Sequence, residues 1–219
     1  TIIIDDIVPS LFKVTLEDYQ NCIPELKEFE LLKCLTIILD KCGNRLITQV
    51  EQFFPYVFEP TLNMINKDLV SFPEHRLEFY KLLNAINKNC FQIFLDLPII
   101  NFKLFFDSIC WALKHTNREI ESLGIDTALI MMRNIDTRYR DSEVSKVFFQ
   151  EYYLVFINET FYVLTEPDHK ATFSEQALLL MRLINLSISD VIPVPIYGKM
   201  DAPEGTTNRE YLMTYMVNL

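Results

Sequence analysis

Residues 61–91 read TLNMINKDLVSFPEHRLEFYKLLNAINKNCF. Leu62, Ile65 and Leu69 recur at three- and four-residue spacing, and so do Phe79, Leu82, Leu83 and Ile86 further on. Side chains so spaced share one face of an α-helix. A corner separates the two runs. Ser71 is placed to cap the second helix and Pro73 to occupy its first turn, where a missing N–H costs nothing. Glu74 complements that helix's positive end. The stretch therefore predicts a helix, a tight corner and a returning helix. Such an antiparallel pair leaves an apolar flank that a neighbouring pair covers.

The same rhythm continues outward. Residues 2–19 read as a helix with Pro9 at a kink or a helix end, Asn21 to Pro24 as a corner, and 25–42 as the next helix. Leu31, Leu32, Leu35, Ile38 and Leu39 form the apolar face of that second helix. Gly43-Asn44 is a stop signal, because Gly takes the left-handed conformation without a Cβ clash. A helix from about Ile47 to Lys67 carries Pro55 and Pro60, which predict a bend or a split. The returning helix runs from about Pro73 to Phe94. Past the corner Asp96-Leu97-Pro98, helices are expected over 99–115 and, capped by Asn117, over 118–135. A polar link, Thr137 to Ser142, leads to an aromatic helix over 143–164. Thr165 to His169 turns the chain into a helix over 171–188, with Leu178, Leu179, Met181, Leu183 and Ile184 apolar. Residues 190–207 hold Pro193, Pro195, Pro203, Gly198 and Gly205 and read as a mobile loop. A last helix starts near Asn208.

Taken in order, these helices give pairs 2–42, 47–94, 98–135 and 143–188, with a partial helix 208–219 after the loop. Pairs opening near 49, 98 and 143 are about 49 and then about 45 residues apart, against roughly 40–47 for HEAT repeats. The predicted fold is all-α: an α-α superhelix of antiparallel helix pairs, a HEAT-repeat solenoid. Helix rhythm alone also fits a large globular bundle.

Composition supports helices. Half of the chain is apolar and only 4 of its 219 residues are Gly, too few for a chain of strands and tight turns. A net charge of −10 argues against broad binding to phosphate backbones and favours a basic protein partner or plain solubility. Cys22, Cys34, Cys42, Cys90 and Cys110 are odd in number and form no Cys-x-x-Cys pair, so reduced thiols are expected. No apolar run reaches the ~18 residues of a membrane span. Thr1 opens inside an apolar run and Tyr211 to Leu219 resemble a helix cut short, so the chain reads as a segment of a longer protein.

Catalytic and ligand motifs are missing. His75, His115 and His169 lie far apart, each near a helix end, and fit capping or surface roles. No phosphate-cradling glycine motif occurs. The carboxylates Asp5-Asp6 read as a solvated helix edge. The aromatic run Phe148 to Tyr162 and Trp111 read as core. Lys114, His115 and Arg118 form a small basic cluster, suited to an acidic partner or to a helix C-terminus. The reading is of a chain with no catalytic residue, metal site or cofactor.

Particular runs carry a resemblance. Residues 58–68 (FEPTLNMINKD), then Phe72-Pro73-Glu74-His75-Arg76, are similar to the exportin-1 family of nuclear export receptors, within the importin-β/karyopherin superfamily. Phe102-Lys103-Leu104, Asp107-Ser108-Ile109, Trp111-Ala112 and Lys114-His115-Thr116 follow in the family's order and spacing. Looser agreement covers Ile7-Val8-Pro9, Asp18-Tyr19-Gln20, Phe148-Phe149-Gln150 and Asn208 to Asn218, while 190–206 diverges. The resemblance implies a ring-like array of HEAT repeats that carries cargo with a leucine-rich export signal out through the nuclear pore. Its implied partners are Ran in its GTP form, the cargo and nuclear pore proteins, with no direct nucleic acid and no membrane insertion. It implies a receptor that shuttles between nucleus and cytoplasm and catalyses nothing. The chain resembles the late, C-terminal part of that array, so the export-signal groove and its reactive Cys are expected elsewhere. The returning helices near 73–94, 118–135 and 171–188 are expected to line the inside. On the first of these, Glu74, Glu78, Lys81 and Lys88 face away from Leu83 and Ile86 and are the candidates for Ran contact. The other class of function compatible with the helix rhythm is a static helical-repeat scaffold without nucleotide control.

Overall fold

The computed structural model describes residues 6–67, 70–96, 98–189, 191–198 and 201–219. Residues 2–5 of the expected first helix, Asp68, Leu69, Leu97 and Asp190 lie outside the described residues. Among the described residues every regular element is helical. By compactness the chain divides into two units, Thr1–Asp96 and Leu97–Leu219.

The first unit holds α1 (Val8–Asn21), α2 (Phe29–Cys42), α3 (Ile47–Ile65), α4 (Pro73–Asn89) and a single turn, α5 (Ile93–Asp96). Helix α1 packs on α3 and α2 packs on α4, with a further contact between α3 and α4. Successive helices thus alternate between two layers, as in HEAT repeats. The first layer is knit by Phe12 against Phe53, ring edge to face at 5.2 Å. Pro9 sits in the first turn of α1, where its missing N–H is harmless, so no kink is needed. Gly43, at φ 62°, ends α2 as expected.

Pro55 and Pro60 do not split α3, which runs unbroken from Ile47 to Ile65, so of the predicted bend or split the split does not occur. Each removes a backbone bond and sets its ring against the preceding turn, at a cost of about 3 kcal/mol. Against this, Val50, Phe53, Phe54, Val57, Phe58, Leu62 and Ile65 are all buried, at about 1.5–3 kcal/mol each. The sum of burial along the face outweighs the lost bonds.

The corner before α4 also differs from the reading. Phe72, not Ser71, is the residue preceding the helix, and it adopts the left-handed conformation at φ 61°, ψ 46°, with no side-chain cap. Its ring meets His75 edge-on at 5.7 Å, a contact that compensates an uncommon backbone. Phe79, Leu82, Leu83 and Ile86 are buried as the periodicity requires. Helix α4 ends at Asn89 rather than continuing to 94, and α5 forms a separate turn.

The second unit holds α6 (Ile99–Leu113), α7 (Arg118–Arg133), α8 (Glu143–Val147), α9 (Tyr153–Thr165), α10 (Phe173–Ile188) and α11 (Asn208–Val217). Helix α7 packs on α6 and α10, and α9 packs on α6 and α10, which repeats the two-layer pattern; α11 adds to α10. Asn117 caps α7, its Oδ1 accepting from the N–H groups of Glu119 (2.9 Å) and Ile120 (3.4 Å). The α6–α7 crossing is close because Gly124 has no side chain. A Cβ there would stand 2.8 Å from the Ala112 Cβ and 3.0 Å from the Leu113 nitrogen.

The expected helix over 143–164 forms without a gap, with a π-helical stretch, Phe148–Tyr152, inside it, and α7 runs out through another, Asn134–Arg138. Phe148, Phe149, Tyr153 and Phe156 are buried, which places most of the aromatic run in the core. Tyr162 is 54% exposed, an exception to the core reading. Leu178 and Met181 are exposed too, because the buried face of α10 runs through Leu179, Leu183 and Leu186.

The segment after α10 is irregular, as its prolines and glycines predict, with Lys199 and Met200 also outside the described residues, and it is anchored to the helices around it. Ile192 and Ile196 are buried. Asn208 clamps the segment from the start of α11: its Oδ1 accepts from Ile196 N at 3.0 Å and its Nδ2 donates to Val194 O at 2.9 Å. Tyr197 stacks on Tyr211 at 4.6 Å.

Candidate partner-binding surface

Helix α4 carries the four candidate contact residues. Pro73 starts it, its apolar periodicity seats it against α2 and α3, and ten of its residues are buried. Glu74 in the first turn and Lys88 in the last are exposed, and Lys81 is half-buried. Glu78 is a correction: it is 8% exposed, not on a solvated face. Packing on two neighbours leaves α4 only a narrow open strip. Lys81 lies over Glu78, with Nζ 3.0 Å from Oε1. The strip therefore offers two separate charges, Glu74 and Lys88, at opposite ends of the helix, with the Lys81–Glu78 pair between them.

Two of the histidines expected at caps or on the surface are instead buried. His75 Nε2 is 2.7 Å from the carbonyl oxygen of Lys27, and its ring also meets Phe29. Lys27 in turn donates to the free carbonyls of Tyr19 and Gln20 at the end of α1. Its Nζ stands 4.8 Å from the Tyr19 ring centroid. Burial holds the Lys27 ammonium below its ordinary pKa and pushes the Tyr19 hydroxyl up to about 12, against the opposing hydrogen bond with Thr61. This set ties α1, the 22–28 link, α3 and the start of α4 together. Spacing could not reveal it, because residues 19, 27, 61 and 75 share no sequence period.

His169 belongs to a second buried set. Glu121 Oε1 accepts from His169 Nδ1 (2.8 Å), Thr172 Oγ1 (2.6 Å) and Gln176 Nε2 (2.5 Å). All four side chains are buried. The network staples the first turn of α7 to the turn preceding α10. Its donors all converge on one carboxylate oxygen in an enclosed site, so the arrangement serves packing register, not exchange with a ligand.

Of the basic cluster, Lys114 forms an ion pair with Glu159 at 2.9 Å, and His115 Nδ1 accepts from the backbone N–H of Asn117. Beside that pair lies an open cleft of about 420 Å³ with Asn158 and Tyr162. In the first unit a cleft of about 330 Å³ between α1 and α3 is floored by Pro9, Phe12, Leu16 and Tyr56 and rimmed by Lys13, Glu17 and Gln52. Cys90 and Cys110 are buried, and burial pushes both thiols up, Cys90 to about 11. Among the described residues no group of three or more His, Cys, Asp or Glu is placed to hold a metal ion. No helix there is long and apolar enough to cross a membrane.

These features define a class: an all-α array of layered helix pairs, with enclosed polar staples inside and separated charges and shallow clefts outside. The chain belongs to the CRM1 C-terminal family, whose model matches residues 1–219. It is 38% identical over 213 residues to exportin-1 of Schizosaccharomyces pombe, covering 97% of this chain and 20% of that protein. It is 37% identical over 186 residues to exportin-1 of Drosophila melanogaster, covering 84% of this chain and 17% of the relative. Exportin 1A of Arabidopsis thaliana is 34% identical over 196 residues, 90% of this chain and 18% of the relative. The chain thus spans about a fifth of the length of the curated relatives it matches.

Proposed function

We propose that this chain is one C-terminal HEAT-repeat segment, residues 1–219, of a nuclear export receptor. The receptor carries cargo bearing a leucine-rich export signal out of the nucleus with Ran-GTP, passes nuclear pore proteins and shuttles between nucleus and cytoplasm. Its segment here supplies array and a Ran-facing surface, without the export-signal groove and without a catalytic step. The observation that carries this reading is the family match along the whole chain. The two-layer packing within each unit supports it, because helices paired mainly with their neighbours suit an array whose curvature ligands can bias.

On this reading α4 faces Ran. Glu74, Lys81 and Lys88 make the contacts, and buried Glu78 acts through Lys81. Pairs 2–42, 47–94, 98–135 and 143–188 are its repeats. A static scaffold without nucleotide control shares the helix rhythm, but the family relationship favours the receptor. Depleting the protein from cells tests the reading. A reporter carrying a leucine-rich export signal is expected to accumulate in the nucleus and to return when the protein is resupplied. An unchanged reporter distribution contradicts the export role.

A further inference from the structure

The chain has a net charge of −10, yet arginines gather where α7 ends. Arg133 closes α7, and the π-turn Asn134–Arg138 follows, with Thr137 Oγ1 donating to the Arg133 carbonyl at 2.6 Å. Asp136 in that turn is the hub. Arg140 donates twice to it, Nε to its backbone oxygen at 2.9 Å and a terminal nitrogen to Oδ1 at 2.8 Å. Arg182 reaches across from α10 to Oδ2 at 3.5 Å. One carboxylate, 13% exposed, is therefore shared by two guanidinium groups that stay 41% and 46% exposed.

Arg133 and Arg138 are exposed and make no ion pair among the described residues. Other acids here are Asp141, exposed next to Arg140, and Glu143, which Lys146 holds at 3.3 Å. Positive charge is thus in local excess on an acidic molecule. A guanidinium is a planar fork that matches a carboxylate with two parallel bonds. Arg140 and Arg182 are already ordered by Asp136, so binding costs them less side-chain entropy than it would a free arginine.

We propose that this surface, Arg140 and Arg182 on Asp136 with Arg133 and Arg138 at the two ends of the same π-helical stretch, docks an acidic segment of a partner protein, rich in Asp and Glu. An extended phosphate backbone would run on past the patch over the acidic remainder of the surface, which disfavours nucleic acid. Charge complementarity favours a short acidic segment, which meets the local excess and little of the remaining surface. This site is independent of the α4 surface assigned above to Ran.

The test uses the full-length protein and a fluorescein-labelled peptide of ten glutamates, read by fluorescence anisotropy. The variant is R133Q/R138Q, which removes charges that hold nothing inside the fold; an unchanged melting temperature checks this. Wild type is expected to bind saturably and to weaken as salt rises from about 50 to about 200 mM. The variant is expected to bind about tenfold more weakly. Equal affinity in wild type and variant overturns the proposal, as does the absence of saturable binding at the lower salt. Tighter binding of a ten-nucleotide single-stranded RNA than of the peptide overturns it in favour of nucleic acid.

Discussion

Gly124 shows what a single residue does in this chain. It sits within α7, where Gly costs about 1 kcal/mol relative to Ala in helix propensity alone. The cost is offset because α6 crosses at the Gly124 backbone, leaving no room for a Cβ. Gly124→Ala is therefore expected to destabilise by about 1–3 kcal/mol despite better propensity, through overpacking. Chemical denaturation checks it; a stabilised variant contradicts the close crossing. Glu121 acts in the opposite sense, by filling a polar site. Glu121→Ala leaves the donors of His169, Thr172 and Gln176 without their acceptor in a buried place. A loss of about 2–4 kcal/mol is expected in the same measurement. Cysteine chemistry follows burial too. The thiolate is the reactive form, so raised thiols react slowly. Cys90 and Cys110 are expected to alkylate last at neutral pH, behind half-buried Cys34 and Cys42. Mass spectrometry over time reads the order, and early modification of Cys110 contradicts it.

At the scale of elements, apolar periodicity was the strongest signal and hydrogen-bond detail the weakest. The spacing of Phe79, Leu82, Leu83 and Ile86 located the buried face of α4, and Asn117 announced the start of α7. Pro55 and Pro60 do not split α3 because local backbone cost is outweighed by a long buried face, which no local rule weighs. Glu78 misled because burial of the strip opposite Leu83 depends on how α2 and α3 flank α4. The segment after α10 is the loop its composition announces, but its anchoring by two isoleucines and Asn208 had no local signal. The Glu121–His169 staple joins positions 48 apart and had no signature in sequence. Leu83→Asp is expected to cost about 4 kcal/mol or more and to strip exchange protection from α1 to α4, since a buried unpaired charge has no compensation. Parent-like protection contradicts the core. Helix α11 gives a pH test. Hydrogen bonds from the Thr207 N–H and then its hydroxyl hold the Glu210 carboxyl below its ordinary 4.5. A carboxyl lowered in the folded state adds stability above its unfolded pKa, and that stability is lost as pH falls through the folded value. The start of α11 is therefore expected to fray below about pH 4.5, seen as loss of helical NMR shifts at 208–211. The Glu210→Gln variant is expected to lack that transition; an unchanged transition in it contradicts the assignment.

For the whole molecule, the proposed function is that of one part of a receptor whose ligands act together. Helix pairs that touch only their neighbours transmit curvature, and two ligands that favour one curvature assist each other by equal factors. On the proposed placement of Ran on α4, the strip's share is modest, because exposed charge pairs are worth about 0–1 kcal/mol each. Substituting Glu74 and Lys88 to Gln together is expected to weaken Ran-GTP binding to the full-length protein by no more than about tenfold. No change in Ran affinity contradicts the placement of Ran on α4, while the export reading stands on its own evidence. The most direct test of that reading is the affinity of the full-length protein for a leucine-rich export-signal peptide, measured once with Ran-GTP and once with Ran-GDP. Much tighter peptide binding is expected with Ran-GTP alone. Equal affinity with both nucleotides, or no binding with either, contradicts it.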